Sequence, residues 1–121
     1  MPSEREQTQR RRRLLREQVR ALSTRALMRG SLVERVRRCG RANCVCATDP
    51  RRQHAGKFLT VQLDGRTQAL PVRPDDEARV RAAIGAYTRL WQLINALTAC
   101  ELADLRREAR ERRRARRRRQ S

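Results

Sequence analysis

Three of the four cysteines in this chain and its only histidine fall within sixteen residues. Their spacing is C-x4-C-x-C-x7-H. Zinc binds four soft or borderline ligands in a tetrahedron, and three cysteines with one histidine are an accepted structural set. We therefore predict a Zn²⁺ site with the ligands Cys39, Cys44, Cys46 and His54.

The segment between these ligands favours a closed site, but the C-x-C spacing of Cys44 and Cys46 places a constraint on the backbone. Gly40, Asn43 and the Asp49-Pro50 pair are typical of turns. Cys44 and Cys46 would point to opposite faces of an extended strand. The chain between these two cysteines must therefore turn sharply if both are to reach one ion.

Three other interpretations of the cluster stay open at the level of sequence. Cys44 and Cys46 could form a strained redox disulfide, although no βαβ pattern of the thioredoxin kind surrounds them. The cysteines could be packing residues, because cysteine is often simply buried. His54 could contact nucleic acid beside its neighbouring arginines. Cys100, which otherwise belongs to an apolar helical stripe, would then be the substitute fourth ligand.

The net charge of +18 on 121 residues predicts a polyanionic partner. Of the 31 basic residues only Lys57 is lysine, and guanidinium groups bind phosphate in a bidentate manner. We expect nucleic acid rather than a membrane surface, and DNA rather than RNA, with contacts mainly to the phosphate backbone. The predicted contacts are Arg10, Arg11, Arg12, Arg13, Arg35, Arg37, Arg38, Arg41, Arg51, Arg52, Lys57, Arg112, Arg113, Arg114, Arg116, Arg117, Arg118 and Arg119.

The sequence contains no candidate membrane span and no apolar signal-peptide core. No run approaches the roughly 20 apolar residues of a span, and residues 3–13 are polar and basic. We therefore expect a cytoplasmic protein, in which cysteines stay reduced and clustered cysteines often bind metal.

The hydrophobic pattern predicts an α+β fold with a small sheet between two helices. Leu15, Val19, Leu22 and Ala26 form a narrow stripe on a basic N-terminal helix that we expect to end near Gly30. SLVERVRRC (31–39) is typical of a strand, and KFLTVQLDGRTQALPV (57–72) of a hairpin around the Asp-Gly pair at 64–65. The sheet would therefore be three-stranded and antiparallel, with the cysteine knuckle between its first two strands.

The sequence does not decide the register of the hairpin or whether its second strand lies at the edge of the sheet. A two-residue loop would place Arg66 opposite Leu63, and a three-residue loop would place Thr67 there. Pro71 predicts an edge position or the end of the strand.

A long amphipathic helix is predicted to begin at Pro74, where three acids follow in the first turn. Its wide apolar face would pack on the hairpin and on either the N-terminal helix or a second subunit. Beyond Leu105 we expect a frayed basic tail, with continuation as a charged helix as the alternative. The resulting segments are 1–29, a basic helix or arm; 30–74, the knuckle and hairpin; 75–105, the long helix; and 106–121, the tail. The predicted helix interface is Val80, Ile84, Tyr87, Leu90, Trp91, Leu93, Ile94 and Leu97.

The run of residues 30–58 resembles an uncharacterised family of small bacterial and phage domains with the pattern GSLV…CGKPGCRCA…HGPYY, and the resemblance covers about residues 26–105. The match comprises Gly30 to Val33, Cys39-Gly40, Cys44, Cys46-Ala47 and His54, with the hairpin turn at 64–67 and Tyr87 to Leu90 in the helix. The chain departs from the pattern after the histidine, where Ala55 to Phe58 replace Gly-Pro-Tyr-Tyr. The resemblance supports the metal site and implies little about activity. The family's frequent company with mobile-element genes hints at DNA.

These observations lead us to expect a non-enzymatic nucleic-acid-binding zinc protein, accessory to a mobile element. The alternative is an assembly or adaptor protein that forms a homodimer or binds a partner protein through its long helix, with basic tails for recruitment or solubility. An enzyme is disfavoured, because the only histidine is already assigned to the metal and leaves little for acid–base chemistry. No catalytic residue is predicted.

Overall fold

The computed structural model describes residues 1–38 and 40–120, and its elements follow the predicted α+β order. The chain divides into two compact units, which we call the helical unit (Met1–Arg25 with Thr88–Ser121) and the sheet unit (Ala26–Tyr87). The elements are α1 (Glu4–Ser23), β1 (Ser31–Arg37), β2 (His54–Leu63), β3 (Arg66–Val72) and α2 (Glu77–Gln120). Neither helix in this described part has an apolar stretch that could cross a bilayer.

The sheet is antiparallel with the order β1-β2-β3. The hairpin closes through a two-residue loop, because Leu63 pairs with Arg66. Asp64 and Gly65 both have positive φ, 53° and 77°, as the tight turns of two-residue hairpins require. The two-residue register is therefore the correct one. Pro71 lies on the edge strand β3, where its missing N–H breaks no internal ladder.

The connection between α1 and β1 differs from the prediction. The helix ends at Ser23, and the expected end near Gly30 is wrong. The hydroxyls of Ser23 and Thr24 donate to the carbonyls of Arg20 and Ala21, so they compete with further helical hydrogen bonds. Gly30 instead permits a close approach to β2, since a Cβ there would lie 2.9 Å from the Thr60 carbonyl oxygen.

In the sheet unit, the first turns of α2 cover one face of the sheet. Leu59, Val80 and Ala83 are buried and line one small apolar depression. At its side Lys57 on β2 forms an ion pair with Glu77, the first residue of α2. Hydrogen bonds from Lys57 and then from Arg81 hold the pKa of Glu77 below its usual value. Apolar contact and this ion pair together fix the start of α2 against β2.

In the helical unit, α1 runs antiparallel to the second part of α2. Its core consists of Leu15, Leu93 and Cys100, against which Val19, Leu22, Ala96 and Leu97 pack. Polar contacts follow the same order: Glu4 with Arg110, Arg12 with Asp104, and Gln18 with Arg89.

The arginine-rich C-terminal segment is helical, so the expected frayed tail beyond Leu105 is wrong. Asp104 accepts hydrogen bonds from Arg107, at 2.8 Å, and from Arg12 of α1. Arg107 also lies 3.6 Å from Glu111, and Arg110 pairs with Glu4 at 2.8 Å. Asp104 and Glu111 are therefore spaced to pair with Arg107 one turn away, and Asp104 also pairs with Arg12 of α1. Residues 111–120 continue past the last of these contacts with α1.

Candidate metal centre

Three of the four predicted ligands come together in the sheet unit. The two sulfur atoms of Cys44 and Cys46 and a ring nitrogen of His54 all lie within 4.8 Å of one another. Cys44 Sγ is 3.2 Å from His54 Nε2. Ligands of a tetrahedral zinc ion lie about 3.5–3.8 Å apart, given bond lengths of about 2.0–2.3 Å. The three side chains are therefore placed to bind one metal ion after small adjustments.

Short 3-10 turns position the ligands. The turn Val45–Ala47 follows Cys44 and is closed by the Ala47 N–H, which donates to the Cys44 carbonyl at 3.0 Å. This is the sharp turn that the C-x-C spacing requires. A second turn, Pro50–Arg52, is capped by Asp49, whose side chain accepts from the Arg51 N–H. The chain then enters β2 at its first residue, His54.

The fourth predicted ligand, Cys39, lies outside the described residues. Two of the alternative interpretations, the Cys44–Cys46 disulfide and Cys100 as a substitute ligand, can be compared with the described structure. No disulfide joins Cys44 to Cys46 among the described cysteines. Cys100 is buried beside Leu15 and Leu93 in the core of the helical unit, and the group of metal-capable residues found in the described chain does not include it.

The three ligands differ in burial. Cys46 is only 1% exposed, Cys44 is half-buried and His54 is exposed. The site therefore has a protein-facing side formed by Cys46 and a solvent-facing side formed by His54. A metal bound here would connect the loop of residues 40–53 to the first residue of β2.

Basic side chains surround this centre within the sheet unit. Arg37 is the β1 partner of His54, and Arg41 lines the same open depression as Asn43, Cys44 and His54. The guanidinium carbons of Arg35 and Arg37 lie 6.0 Å and 4.9 Å from the centroid of the Phe58 ring. A cation beside an aromatic face is electrostatically favourable, so the ring supports the positions of both arginines.

The sequence interpretation missed Phe58 as part of this surface. The available signal was the alternation of Arg35 and Arg37 on one strand, which places both on the same face. Val33, on that face too, pairs with Phe58 across the strands.

The other predicted phosphate contacts of the sheet unit fall into two groups. Arg38 is exposed, as are Arg51 and Arg52, whose guanidinium groups lie 3.9 Å and 3.8 Å from Asp49. Lys57 is engaged by Glu77. The acidic neighbours partly neutralise Arg51, Arg52 and Lys57, so Arg35, Arg37, Arg38 and Arg41 carry most of the positive charge near the metal centre.

In the helical unit the four consecutive arginines 10–13 are not equivalent. Arg10, Arg11 and Arg13 are exposed, but the side chain of Arg12 is only 13% exposed and contacts Glu101 and Asp104. Hydrogen bonds with Arg12 and then with Arg107 hold the pKa of Asp104 below its usual value. Arg12 therefore links the two helices. Its position three residues before Leu15, on the apolar stripe, was the available signal.

The C-terminal arginines are uniformly exposed, whereas the predicted helix interface divides into buried and exposed residues. Arg112, Arg113, Arg114 and Arg116 to Arg119 are all exposed on the last turns of α2. Of the predicted interface, Val80 and Leu93 are buried, and Ile84, Tyr87, Leu90 and Leu97 are half-buried. Trp91 and Ile94 are exposed. The wide apolar face is thus only partly covered.

Comparison with known proteins identifies a family. The model of a family described as "Domain of unknown function (DUF6788)" matches residues 5–82, nearly two thirds of the chain. The chain therefore belongs to this family, and the expectation of an uncharacterised domain family is confirmed. The match includes α1, the sheet and the candidate metal centre, and ends in the first turns of α2. No curated protein and no solved structure matches the chain.

Proposed function

We propose that this member of the DUF6788 family is a non-enzymatic zinc protein that binds nucleic acid, DNA in the first instance, through its phosphate backbone. The observation that carries the proposal is the position of the metal-capable cluster beside exposed arginines. Arg37 is the strand partner of His54, and Arg41 lines the depression that contains Cys44 and His54. A metal ion here would hold a basic surface in a fixed shape.

The zinc ion would serve folding rather than catalysis. Cys39 follows β1 in the sequence by two residues, and we assign it as the fourth ligand beside Cys44, Cys46 and His54. The described part of segment 38–53 has two 3-10 turns as its regular structure. Such a segment gains little from backbone hydrogen bonding, so metal binding would supply much of its folding free energy. The thiolates must stay reduced, which fits a cytoplasmic protein.

The arginines would bind phosphate rather than read bases. Phe58 is buried beneath Arg35 and Arg37, and Tyr87 is half-buried, which leaves Trp91 as the only exposed aromatic side chain among the described residues. Single-strand binding by base stacking needs several exposed rings. The high density of exposed positive charge favours a polyanion, whose binding relieves the repulsion between arginines. We therefore expect little dependence on base sequence.

The salt dependence of binding tests this proposal. Fluorescence anisotropy with a labelled duplex of mixed sequence would give the dissociation constant between about 50 and 300 mM salt. If about eight phosphates are neutralised, log affinity should fall with log salt at a slope of about −7. A scrambled duplex of the same length should bind equally well. The absence of a salt slope, or of binding at the lowest salt, would refute the proposal.

Matched single variants identify which basic residues contribute. Arg41→Gln removes a charge beside the metal centre, and Arg66→Gln removes the same charge at the hairpin end of β3. Each lost phosphate contact should reduce the salt slope by about one, so Arg41→Gln should reduce it and Arg66→Gln should change it less. Metal content should remain at the wild-type value in both variants. Equal reductions would mean that only total charge matters and that the metal centre does not organise the surface.

A further inference from the structure

An apolar ridge on the second part of α2 remains exposed in the helical unit. Trp91 is 56% exposed, Ile94 48%, Leu102 44% and Leu105 60%. Their spacing, with Thr98 midway, places all of them on one face of the helix. The Thr98 hydroxyl donates to the Ile94 carbonyl at 3.0 Å, so its polar group is already satisfied within the helix. We call these five residues the α2 ridge.

The core of the helical unit does not include the residues of the α2 ridge. Leu93, Leu97 and Cys100 contact α1 from another face of the helix. Residues 90–100 contain no charged side chain, although 36% of the whole chain is charged. A solvated helix face in so charged a chain would be expected to include arginine or glutamate. The composition of the ridge therefore indicates a face that is covered in solution.

We propose that the α2 ridge binds the same ridge of a second copy of the chain, with the two helices antiparallel. Centred on Thr98, this pairing places Trp91 opposite Leu105, and Ile94 opposite Leu102, of the other copy. Each half of the interface then pairs large apolar side chains, with Thr98 at the centre. The pairing goes beyond the proposed function and does not depend on it.

Charge decides the orientation. A parallel pair would align the arginines of residues 112–119 of both copies, and that segment contains seven arginines and no acid. The repulsion would oppose association, because like charges along facing helices are unfavourable. An antiparallel pair places the two arginine-rich ends at opposite ends of the interface. The segment 90–100 lies at the centre and is uncharged, so no like charges meet there.

The size of the ridge predicts a reversible dimer. Four large side chains exposed to about half their area give on the order of 400 Å² per copy, or roughly 800 Å² in total, below the roughly 1,200 Å² of stable interfaces and within the range of weak, transient ones. Such an area fits association at micromolar concentration. A permanent dimer, by comparison, commonly buries about 2,000 Å² or more.

Sedimentation equilibrium of the full-length metal-loaded chain tests the dimer. At about 0.3 M salt, without nucleic acid, the mean mass should rise towards twice that of the monomer between about 1 and 200 μM. Ile94→Glu should weaken association at least tenfold, because it places two charges in the apolar interface. Leu63→Gln, at an exposed leucine of the hairpin, is the matched control and should leave association unchanged. A wild-type chain that stays monomeric throughout would overturn the proposal.

A charge-swap variant tests the orientation. In the antiparallel pairing residue 94 of one copy faces residue 102 of the other, so adding Leu102→Lys to Ile94→Glu creates opposite charges in contact. The double variant should then dimerise more tightly than Ile94→Glu alone. In a parallel pair residue 94 would face residue 94 of the other copy, and residue 102 would face residue 102. Each new charge would then meet a like charge, and the double variant would associate more weakly still. That result would overturn the antiparallel arrangement even if a dimer forms. Neither outcome depends on nucleic-acid binding, so the two proposals can fail separately.

Discussion

The two units of this chain gain their stability in different ways. In the helical unit, Leu15, Leu93 and Cys100 form an apolar seam, and Arg12 and Asp104 add an ion pair between the helices. The sheet unit also has buried apolar residues, but its loop of residues 40–53 is ordered by two 3-10 turns beside the metal-capable cluster. Only the sheet unit, among the described residues, therefore has a structure that a metal ion could stabilise directly.

This difference suggests how a small, highly charged chain can fold. Helices can satisfy their backbone hydrogen bonds internally, and one apolar stripe is enough to pair two of them. A short loop has few internal backbone hydrogen bonds and no apolar stripe, so it needs a covalent or metal crosslink. The two units should therefore respond differently to metal removal, to core substitutions and to acid.

Metal removal should have the largest effect, and it should unfold part of the sheet unit while leaving the helical unit folded. Structural zinc contributes about 10–16 kcal/mol of apparent binding free energy in small domains, which is comparable to the total stability of a protein. Chelation, or Cys46→Ser at the most buried ligand, should abolish hydrogen-exchange protection in residues 31–63 while leaving residues 88–110 protected. Peptide-resolved hydrogen exchange measures both.

Cys100→Ser is the matched control for that experiment. It changes a buried cysteine of the helical unit, so the metal content should stay at the wild-type value while the helix pair becomes less stable. If Cys100→Ser lost the metal and Cys46→Ser retained it, the assignment of the ligands would be wrong.

A core substitution in the helical unit should produce the converse pattern. Leu93→Ala removes a buried side chain from the seam and should destabilise the helix pair by about 2–5 kcal/mol. Urea unfolding followed by far-UV circular dichroism would measure the loss, and metal content should not change. Leu14→Ala, at an exposed leucine of the partner helix α1, should cost much less. Equal costs would contradict the seam described here.

Two glycines of the sheet unit should respond to alanine with opposite signs. Gly30→Ala places a Cβ 2.8 Å from Val61 Cγ1 and 2.9 Å from the Thr60 carbonyl oxygen, so backbone must move at a cost of about 1–3 kcal/mol. Gly85 lies within α2, where an added Cβ would meet open space, and Gly85→Ala should stabilise by up to about 1 kcal/mol. Thermal unfolding of both metal-loaded variants would show whether their midpoints move in opposite directions.

The ion pair of the helical unit should produce the smallest effect, visible in its dependence on pH. Because the pKa of Asp104 is lowered in the folded chain, its contribution to stability is present above its usual value of about 4. That contribution is lost as the pH falls through the lower, folded-state value. Asp104→Asn should therefore be less stable than wild type at neutral pH, with a difference that shrinks in acid. Glu108→Gln, which removes a carboxylate elsewhere on the same helix, is the matched control.

The sequence predicted the elements whose signals are local. Asp64-Gly65 specified the hairpin, and Pro74 begins the 3-10 turn Pro74–Asp76 that leads directly into α2, because turn conformation and helix initiation depend on a few adjacent residues. The clustering of Cys44, Cys46 and His54 followed from ligand chemistry and spacing alone.

What the sequence did not predict depends on contacts between distant residues. Arg110 was placed in a frayed tail, because its pairing with Glu4 of α1 is visible only in the folded chain. Arg12 was grouped with its exposed neighbours because only the packing of α1 on α2 distinguishes it. Gly30 was interpreted as a helix stop, since its close contact with β2 requires the assembled sheet.

Native mass spectrometry of the purified full-length chain tests the central claim most directly, because it counts metal ions per folded molecule. We predict one zinc ion per chain in the wild type and in Cys100→Ser, and none in Cys44→Ser. A metal-free wild-type chain with the same hydrogen-exchange protection in residues 31–63 as the zinc-supplemented chain would contradict the account.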